Sequence, residues 1–297
     1  MDFIDLHFLG RRHVIGTAVL RGPSGLTLID PGPTACLPAL ESGLNDQQLR
    51  LDDVRSILLT HIHLDHAGAT GTLLTRLPNA VVYVHERGAP HMLDPSKLLA
   101  SATRLYGANM DRFWGEFRPV PADRLKVLRG GARIDMAGRT FEVAYTPGHA
   151  SHHVSYLDLS NGQAFVGDTA GIRVAKGYIK APTPPPDIDL ELWEKSLAIF
   201  EAWRPSSLVL THFGVVDEPA EHLRQFRGVL ARQAASVRAT LEQEGTDEER
   251  IRRFMEEMRS DARRVLSEEE ATSTEAAAAF DQLWLGLARY WRKRAGA

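Results

Sequence analysis

Three imidazoles and a carboxylate crowd into six positions of this chain, in Thr60-His61-Ile62-His63-Leu64-Asp65-His66. They follow at once on Ser56-Ile57-Leu58-Leu59, a short apolar run suited to a buried strand. Polar groups desolvated at the end of such a strand cost free energy unless something binds them. A metal ion does so, and neutral imidazole with carboxylate is the donor set favoured by zinc and by its neighbours iron and manganese. Alternation on leaving the strand sends His61 and His63 to one side. Asp65 and His66, on the next turn, face a second position, so the spacing supports two metal positions.

Three later residues repeat the arrangement of a short strand followed by a ligand. His149 lies in Thr146-Pro147-Gly148-His149, where Pro and Gly enforce a turn that can aim the ring inward. Asp168 follows the apolar stretch Gln163–Val166, and its two oxygens can bridge two cations. His212 follows Ser207–Leu210 and a Thr, as His61 follows Ser56–Thr60. Singly, each reads as readily as a capping or hydrogen-bonding residue; together with the first motif they complete a ligand set.

The surrounding pattern places these motifs in a layered α/β fold. Strands are predicted at 3–8, 17–21 and 26–30, with helical character at 35–44. A βαβ unit is predicted from Ser56–Thr60, a helix at Ala69–Arg76 and a second buried strand at Ala80–Val84. Residues 86–118 read as helical segments carrying the exposed-looking aromatics Tyr106, Phe113, Trp114 and Phe117, which with Tyr178 are expected to line a pocket, core packing being the alternative. Strands resume at 140–145, 153–157 and 163–166. Residues 172–188, which contain Ala181-Pro182-Thr183-Pro184-Pro185-Pro186-Asp187, are expected to form a loop, because proline lacks the amide donor and fixes φ. Asp189 caps a following helix.

Past residue 217 the composition turns to Glu, Arg and Ala, and apolar residues fall at helical spacing in three stretches: Leu223 to Leu241, Ile251 to Val265, and Phe280 to Trp291. A catalytic domain at 1–217 and a helical C-terminal extension at 218–297 are therefore expected. The extension either packs on the main domain or forms a pocket mouth or homodimer interface. A formal net charge of −3 supplies no field for nucleic acid or an anionic membrane, and no apolar run approaches the roughly 20 residues that span a bilayer. The single cysteine, Cys36, excludes an internal disulfide, and the first residues lack the pattern of a secretory signal, so a cytoplasmic protein with a small-molecule substrate is expected.

The hallmark His-x-His-x-Asp-His at 61–66, followed in order by His149, Asp168 and His212, resembles the metallo-β-lactamase superfamily over about residues 1–216. The resemblance implies an αββα sandwich with the metal site at one edge. His61, His63 and His149 would hold one metal, Asp65, His66 and His212 the other, with Asp168 bridging. Two divalent ions, zinc first and iron or manganese as alternatives, would share a hydroxide, with Asp65 orienting it and accepting a proton. Leu28-Ile29-Asp30-Pro31-Gly32 is similar to an early family motif whose aspartate supports the site, a plain turn being the other reading of Asp30.

Departures narrow the function within that resemblance. The β-lactamases with a cysteine ligand carry a thiol where this chain has Asp168, and flavin-partnered diiron oxidases carry glutamate in place of His63. RNA-processing members add a basic exosite not found here. Quorum-quenching lactonases often carry a tyrosine where this chain has Gly171, although Tyr178 could reach in. The stretch 146–156 with Gly167-Asp168-Thr169-Ala170-Gly171 looks closest to the glyoxalase-II-like and generic hydrolase branch. A small ester, thioester or lactone is the expected substrate, with phosphotriesters as a promiscuous class. A mononuclear iron oxidase resembling the persulfide dioxygenases is the alternative. His152 is expected beside the site, since alternation lets only one of His152 and His153 face it; His7, His13, His85, His91 and His222 are expected to be structural or exposed.

Overall fold

Alternating apolar residues build the first sheet. In a computed structural model that describes residues 1–175 and 177–296, β1 (Asp2–Asp5), β2 (Gly16–Gly22) and β3 (Gly25–Ile29) form an antiparallel meander. Lys176, inside the expected loop, and Ala297, at the end of the expected extension, lie outside the described residues. β4 (Val54–Leu58), β5 (Val81–His85) and β6 (Leu125–Leu128) extend the sheet in parallel. Parallel neighbours need crossovers, and these carry the helices: α1 (Leu37–Asp46) before β4, α2 (Leu64–Ala67) and α3 (Thr70–Arg76) before β5, and α4 (Ala89–Leu93), α5 (Ser96–Tyr106) and α6 (Met110–Trp114) before β6.

The second sheet contains β7 (Ala132–Met136), β8 (Arg139–Tyr145), β9 (Val154–Asp158) and β10 (Gln163–Phe165) as antiparallel neighbours. A hairpin of β11 (Ile172–Ala175) and β12 (Tyr178–Lys180) and the helix α7 (Leu190–Trp203) intervene before β13 (Ser207–Leu210) joins β10 in parallel and β14 (Gly214–Val216) closes the edge. The Asp189 side chain accepts from the Leu192 amide and so starts α7.

Side-chain alternation sorts the apolar residues into three layers. Ala18, Leu20, Ile29 and Leu58 of the first sheet meet Phe141, Tyr156, Phe165 and Val209 of the second. Val19, Leu28 and Ile57 point the other way, onto Leu40 and Leu44 of α1 and Leu73 of α3. Leu157, Leu208 and Leu210 pack outward on Trp193, Leu197 and Phe200 of α7. This is the αββα sandwich, with C-terminal helices added to the second sheet's outer layer.

Three expectations need correction here. Residues 172–188 are not one loop: the proline argument holds only from Pro182, and Ile172–Ala175 and Tyr178–Lys180 before it pair as β11 and β12. The extension has four helices among the described residues, not three: α8 (Pro219–Leu241), α9 (Asp247–Arg263), α10 (Glu268–Ala277) and α11 (Phe280–Ala295). α10 contains no large apolar residue, so no stripe announces it; its readable signal is the Ser267/Glu270 capping box, matched by Thr246/Glu249 at α9. Val265, expected on the α9 stripe, lies beyond the helix end and is 67% exposed. No helix among the described residues is long and apolar enough to cross a membrane.

A buried lysine holds α10 in place. Lys180 of β12 donates to the carbonyls of Thr274 and, at 2.7 Å, Ala278, with its Nζ 5.0 Å from the centre of the Phe280 ring. A cation is favoured at the carbonyl end of a helix, although burial pushes this ammonium down to about 7. Lys180→Met leaves both carbonyls without their donor and is expected to lower stability by about 2 kcal/mol. A urea midpoint equal to that of the unmodified protein would count against this clamp.

Candidate metal centre

The ends of β4, β8, β10 and β13 deliver all seven expected ligands to one place. His61 Nε2 lies 2.9 Å from His63 Nδ1 and 3.2 Å from His149 Nε2, and the latter two atoms are 3.0 Å apart. Asp65 Oδ2 lies 3.7 Å from His66 Nε2 and 3.3 Å from His212 Nε2. Asp168 stands between the two groups, with Oδ2 3.4 Å from His149 Nε2 and Oδ1 3.3 Å from His66 Nε2 and 3.5 Å from His212 Nε2. Donors about 2.0–2.2 Å from one tetrahedral ion sit roughly 3.3–3.6 Å from each other. The observed spacings scatter around that range. His61, His63 and His149 could hold one cation and Asp65, His66 and His212 another; His61, His66 and Asp168 make a third, overlapping trio.

His149, His212 and His66 are each turned by a partner on the far side of the ring. His149 Nδ1 donates to the Pro182 carbonyl at 2.8 Å, and His212 Nδ1 donates to the Val14 carbonyl at 2.6 Å. His66 Nδ1 faces Asp30 Oδ2 at 2.8 Å. A ring that donates from Nδ1 presents the Nε2 lone pair inward, as metal-ligating histidines do. Three of the inward atoms, His66 Nε2, Asp168 Oδ1 and His212 Nε2, are buried and have no hydrogen-bond partner among the described residues. Buried polar atoms are rarely left so, and a divalent cation would satisfy all three.

The electrostatics agree. Burial alone would raise the carboxyls of Asp65 and Asp168, but the histidines beside them, His66 above all, hold both below the usual range, Asp65 at about 2. Burial would likewise lower His66 and His212, yet Asp168 and Asp65 outweigh it and raise both. At His61 burial and the neighbouring histidines all lower the ring, and at His63 burial outweighs Asp65 and Asp168, so that His63 falls to about 4; both rings are neutral donors at neutral pH. Carboxylates strong enough to draw protons onto His66 and His212 would draw a divalent cation instead, which displaces those protons.

Asp30 does more than turn the chain. Fully buried at the end of β3, it accepts from the Thr60 amide at 2.8 Å, the Thr60 hydroxyl at 2.7 Å and the Thr211 hydroxyl at 2.9 Å, besides facing His66. One carboxylate thus fastens the ends of β4 and β13, which belong to different sheets. Its φ of 53° is tolerated because a short polar side chain can compensate locally. Gly148, at φ +136°, is required for another reason: a Cβ there would sit 2.4 Å from Trp193, so only glycine lets the turn pass and place His149.

Several other expectations change. Both His152 and His153 pack on His61, their ring centres 6.0 and 5.1 Å from it, because Ala150–His153 is a turn that alternation does not govern. His152 lines the cavity in front of the ligands, and His153 accepts weakly from the Asp168 amide at 3.4 Å. His91 lines the cavity as well. Of the aromatics, Tyr106, Phe113 and Trp114 line it, but Phe117 does not; Trp114 and Phe117 are buried rather than exposed. Tyr178 packs on Ala262 and Leu266, away from the site, so it does not stand in for the lactonase tyrosine. His85 stacks on Tyr145, and His222 donates to the Ala170 carbonyl, both as structural residues.

Comparison with known proteins points the same way. A family model described as the metallo-beta-lactamase superfamily matches residues 14–212. The chain is similar to the metallo-beta-lactamase fold-containing protein ST1585 of Sulfurisphaera tokodaii, with 31% identity over 59% of this chain and 67% of that protein. It is also similar to a hydroxyacylglutathione hydrolase of Aeromonas hydrophila, at 32% identity over 51% of this chain and 44% of that enzyme; the chain thus spans less than half of the hydrolase's length. Among solved structures, the metallo-beta-lactamase family protein TTHA1429 of Thermus thermophilus shares the fold over 95% of this chain and 89% of its own, with a TM-score of 0.67 and 21% identity.

Proposed function

The chain belongs to the metallo-β-lactamase superfamily, and on that premise we propose that it is a dinuclear metal-dependent hydrolase of a small ester, thioester or lactone, with phosphotriesters as a promiscuous class. The observation that carries the reading is Asp168, one oxygen of which faces His149 while the other faces His66 and His212. In this reading His61, His63 and His149 would hold one ion and Asp65, His66 and His212 the other, with Asp168 shared between them. The similarity to a hydroxyacylglutathione hydrolase supports a thioester or ester over other substrates.

Two divalent cations, zinc first and iron or manganese as alternatives, would supply Lewis acidity and a bound water acidic enough to react near neutral pH. The chain's own residues do the rest. Asp65, with 18% of its side chain exposed to the cavity, is placed to orient the attacking water and to accept its proton. The neutral His152 ring at the cavity wall can hydrogen-bond the leaving group. Residues 1–217 carry the ligands in this proposal, while 218–297 close the pocket, since Thr272 to Leu283 contribute to its lining. A cytoplasmic protein without a nucleic-acid or membrane partner fits the same reading.

The test is an elemental count of zinc, iron and manganese on protein purified without added metal, followed by assay of that sample on thioesters, lactones and phosphotriesters. About two metals per chain, and hydrolysis lost on chelation and restored by the same metal, are the expected results. One iron per chain with oxygen uptake on a persulfide, and no hydrolysis, would instead establish the mononuclear oxidase.

A further inference from the structure

The cavity in front of the ligands has a volume of about 670 Å³, within the range of sites that enclose a small-molecule ligand. Its walls come from two parts of the chain outside the metal motifs. Leu98 and Leu105 of α5 and Phe113 of α6 line one side; Ala276 and Ala277 of α10 and Leu283 of α11 line the other. Tyr106, at the end of α5, donates to Gln282 Oε1 of α11 at 3.1 Å and joins the two walls. Ala276 and Ala277 present only small side chains to the cavity, so a larger side chain there would take up part of its volume.

Charge in the lining lies at the metal ligands and in a few further residues. Arg87, Lys97 and Asp187 are exposed; Glu275 and Asp281 are half-buried, and Glu275 is held by Arg259 at 2.6 Å. An apolar guest between these walls therefore meets no unpaired, fully buried charge beyond the metal centre.

We propose that this slot receives the unbranched acyl chain of a medium-chain ester or thioester, about eight to twelve carbons long and so a guest of ordinary ligand size, with its carbonyl at the metal centre. The inference rests on the hydrolase reading above and adds the acyl class. The tail helices are then part of the specificity pocket, and chain length is measured against α10 and α11.

The metal-loaded full chain is assayed on p-nitrophenyl esters from acetate to dodecanoate, and binding of decanoate and acetate is measured by calorimetry. The expected kcat/KM rises about fourfold per methylene up to the decanoate, and decanoate binds far more tightly than acetate. Ala277→Trp, which fills the slot, is expected to lower the decanoate-to-acetate ratio of kcat/KM at least fiftyfold. Hydrolysis with no rise along the series, and equal binding of the two acids, overturn the acyl slot and leave the hydrolase standing. Decanoate binding that is lost in Ala277→Trp, with no ester hydrolysed, keeps the slot and overturns the hydrolase. Neither binding nor hydrolysis overturns both.

Discussion

Asp168→Ala is expected to reduce bound metal from about two ions per chain to one or fewer and to lower kcat/KM by roughly a thousandfold, about 4 kcal/mol of lost transition-state stabilisation. The reason is its position between the two donor groups: Oδ2 lies 3.4 Å from His149 Nε2, and Oδ1 lies 3.3 and 3.5 Å from His66 and His212. Removing it takes one donor from each group and leaves Asp65 as the only carboxylate facing the inward Nε2 atoms of His66 and His212 among the described residues. Both histidines then lose part of what favours a cation next to them. Elemental analysis and steady-state kinetics on the same sample decide the matter. Two retained ions with full activity would mean that Asp168 bridges nothing.

Asp30→Ala acts through structure first. It deletes the acceptor for the Thr60 amide, the Thr60 hydroxyl and the Thr211 hydroxyl, and the partner of His66 Nδ1, all of them buried. Truncating one side of a buried, hydrogen-bonded charge network costs about 3–5 kcal/mol, read as a lower midpoint in chemical denaturation. The orientation of His66 is lost with it, and removing such a support behind a metal-binding histidine weakens metal affinity about 10–100-fold. Competition with a chelator measures that second effect on protein that is still folded. Asp30→Asn keeps an acceptor for the Thr60 amide and should fall between the two. If Asp30→Ala has unchanged stability and unchanged metal affinity, Asp30 is only a turn residue.

Much of the site is legible before any fold is known because its parts are local. His61, His63, Asp65 and His66 sit within a few residues of a readable apolar strand, and Pro147-Gly148 announces the turn before His149. The parts that escape are those in which the partner has no identity of its own in the sequence. His149 is oriented by the carbonyl of Pro182, and His212 by the carbonyl of Val14, 198 residues away. Any residue could supply those oxygens. Of His152 and His153 only His152 lines the cavity, as expected, but alternation is not the reason, since it is a property of extended backbone and residues 150–153 are a turn.

The tail divides along the same line. Apolar spacing announces α8, α9 and α11, whereas α10, built from Glu, Thr, Ser and Ala, owes its place to Lys180 at the carbonyl of Ala278 and to the capping box at its start. Nothing in the composition of α10 says that Ala276 and Ala277 line a cavity with Leu105 and Phe113. Likewise, the choice of Tyr106 over Tyr178 as the cavity tyrosine depends on where α5 and β12 come to rest.

By itself, then, the sequence determined the candidate donors, their order and the layered α/β class, because ligand chemistry and strand or helix periodicity are written in neighbouring residues. Only the tertiary structure decided which ring nitrogen faces inward, how strands of both sheets converge on Asp30, and which helices line the cavity in front of the candidate donors. Those outcomes rest on backbone acceptors and on packing between segments far apart in the chain, where many residues would serve and geometry alone selects.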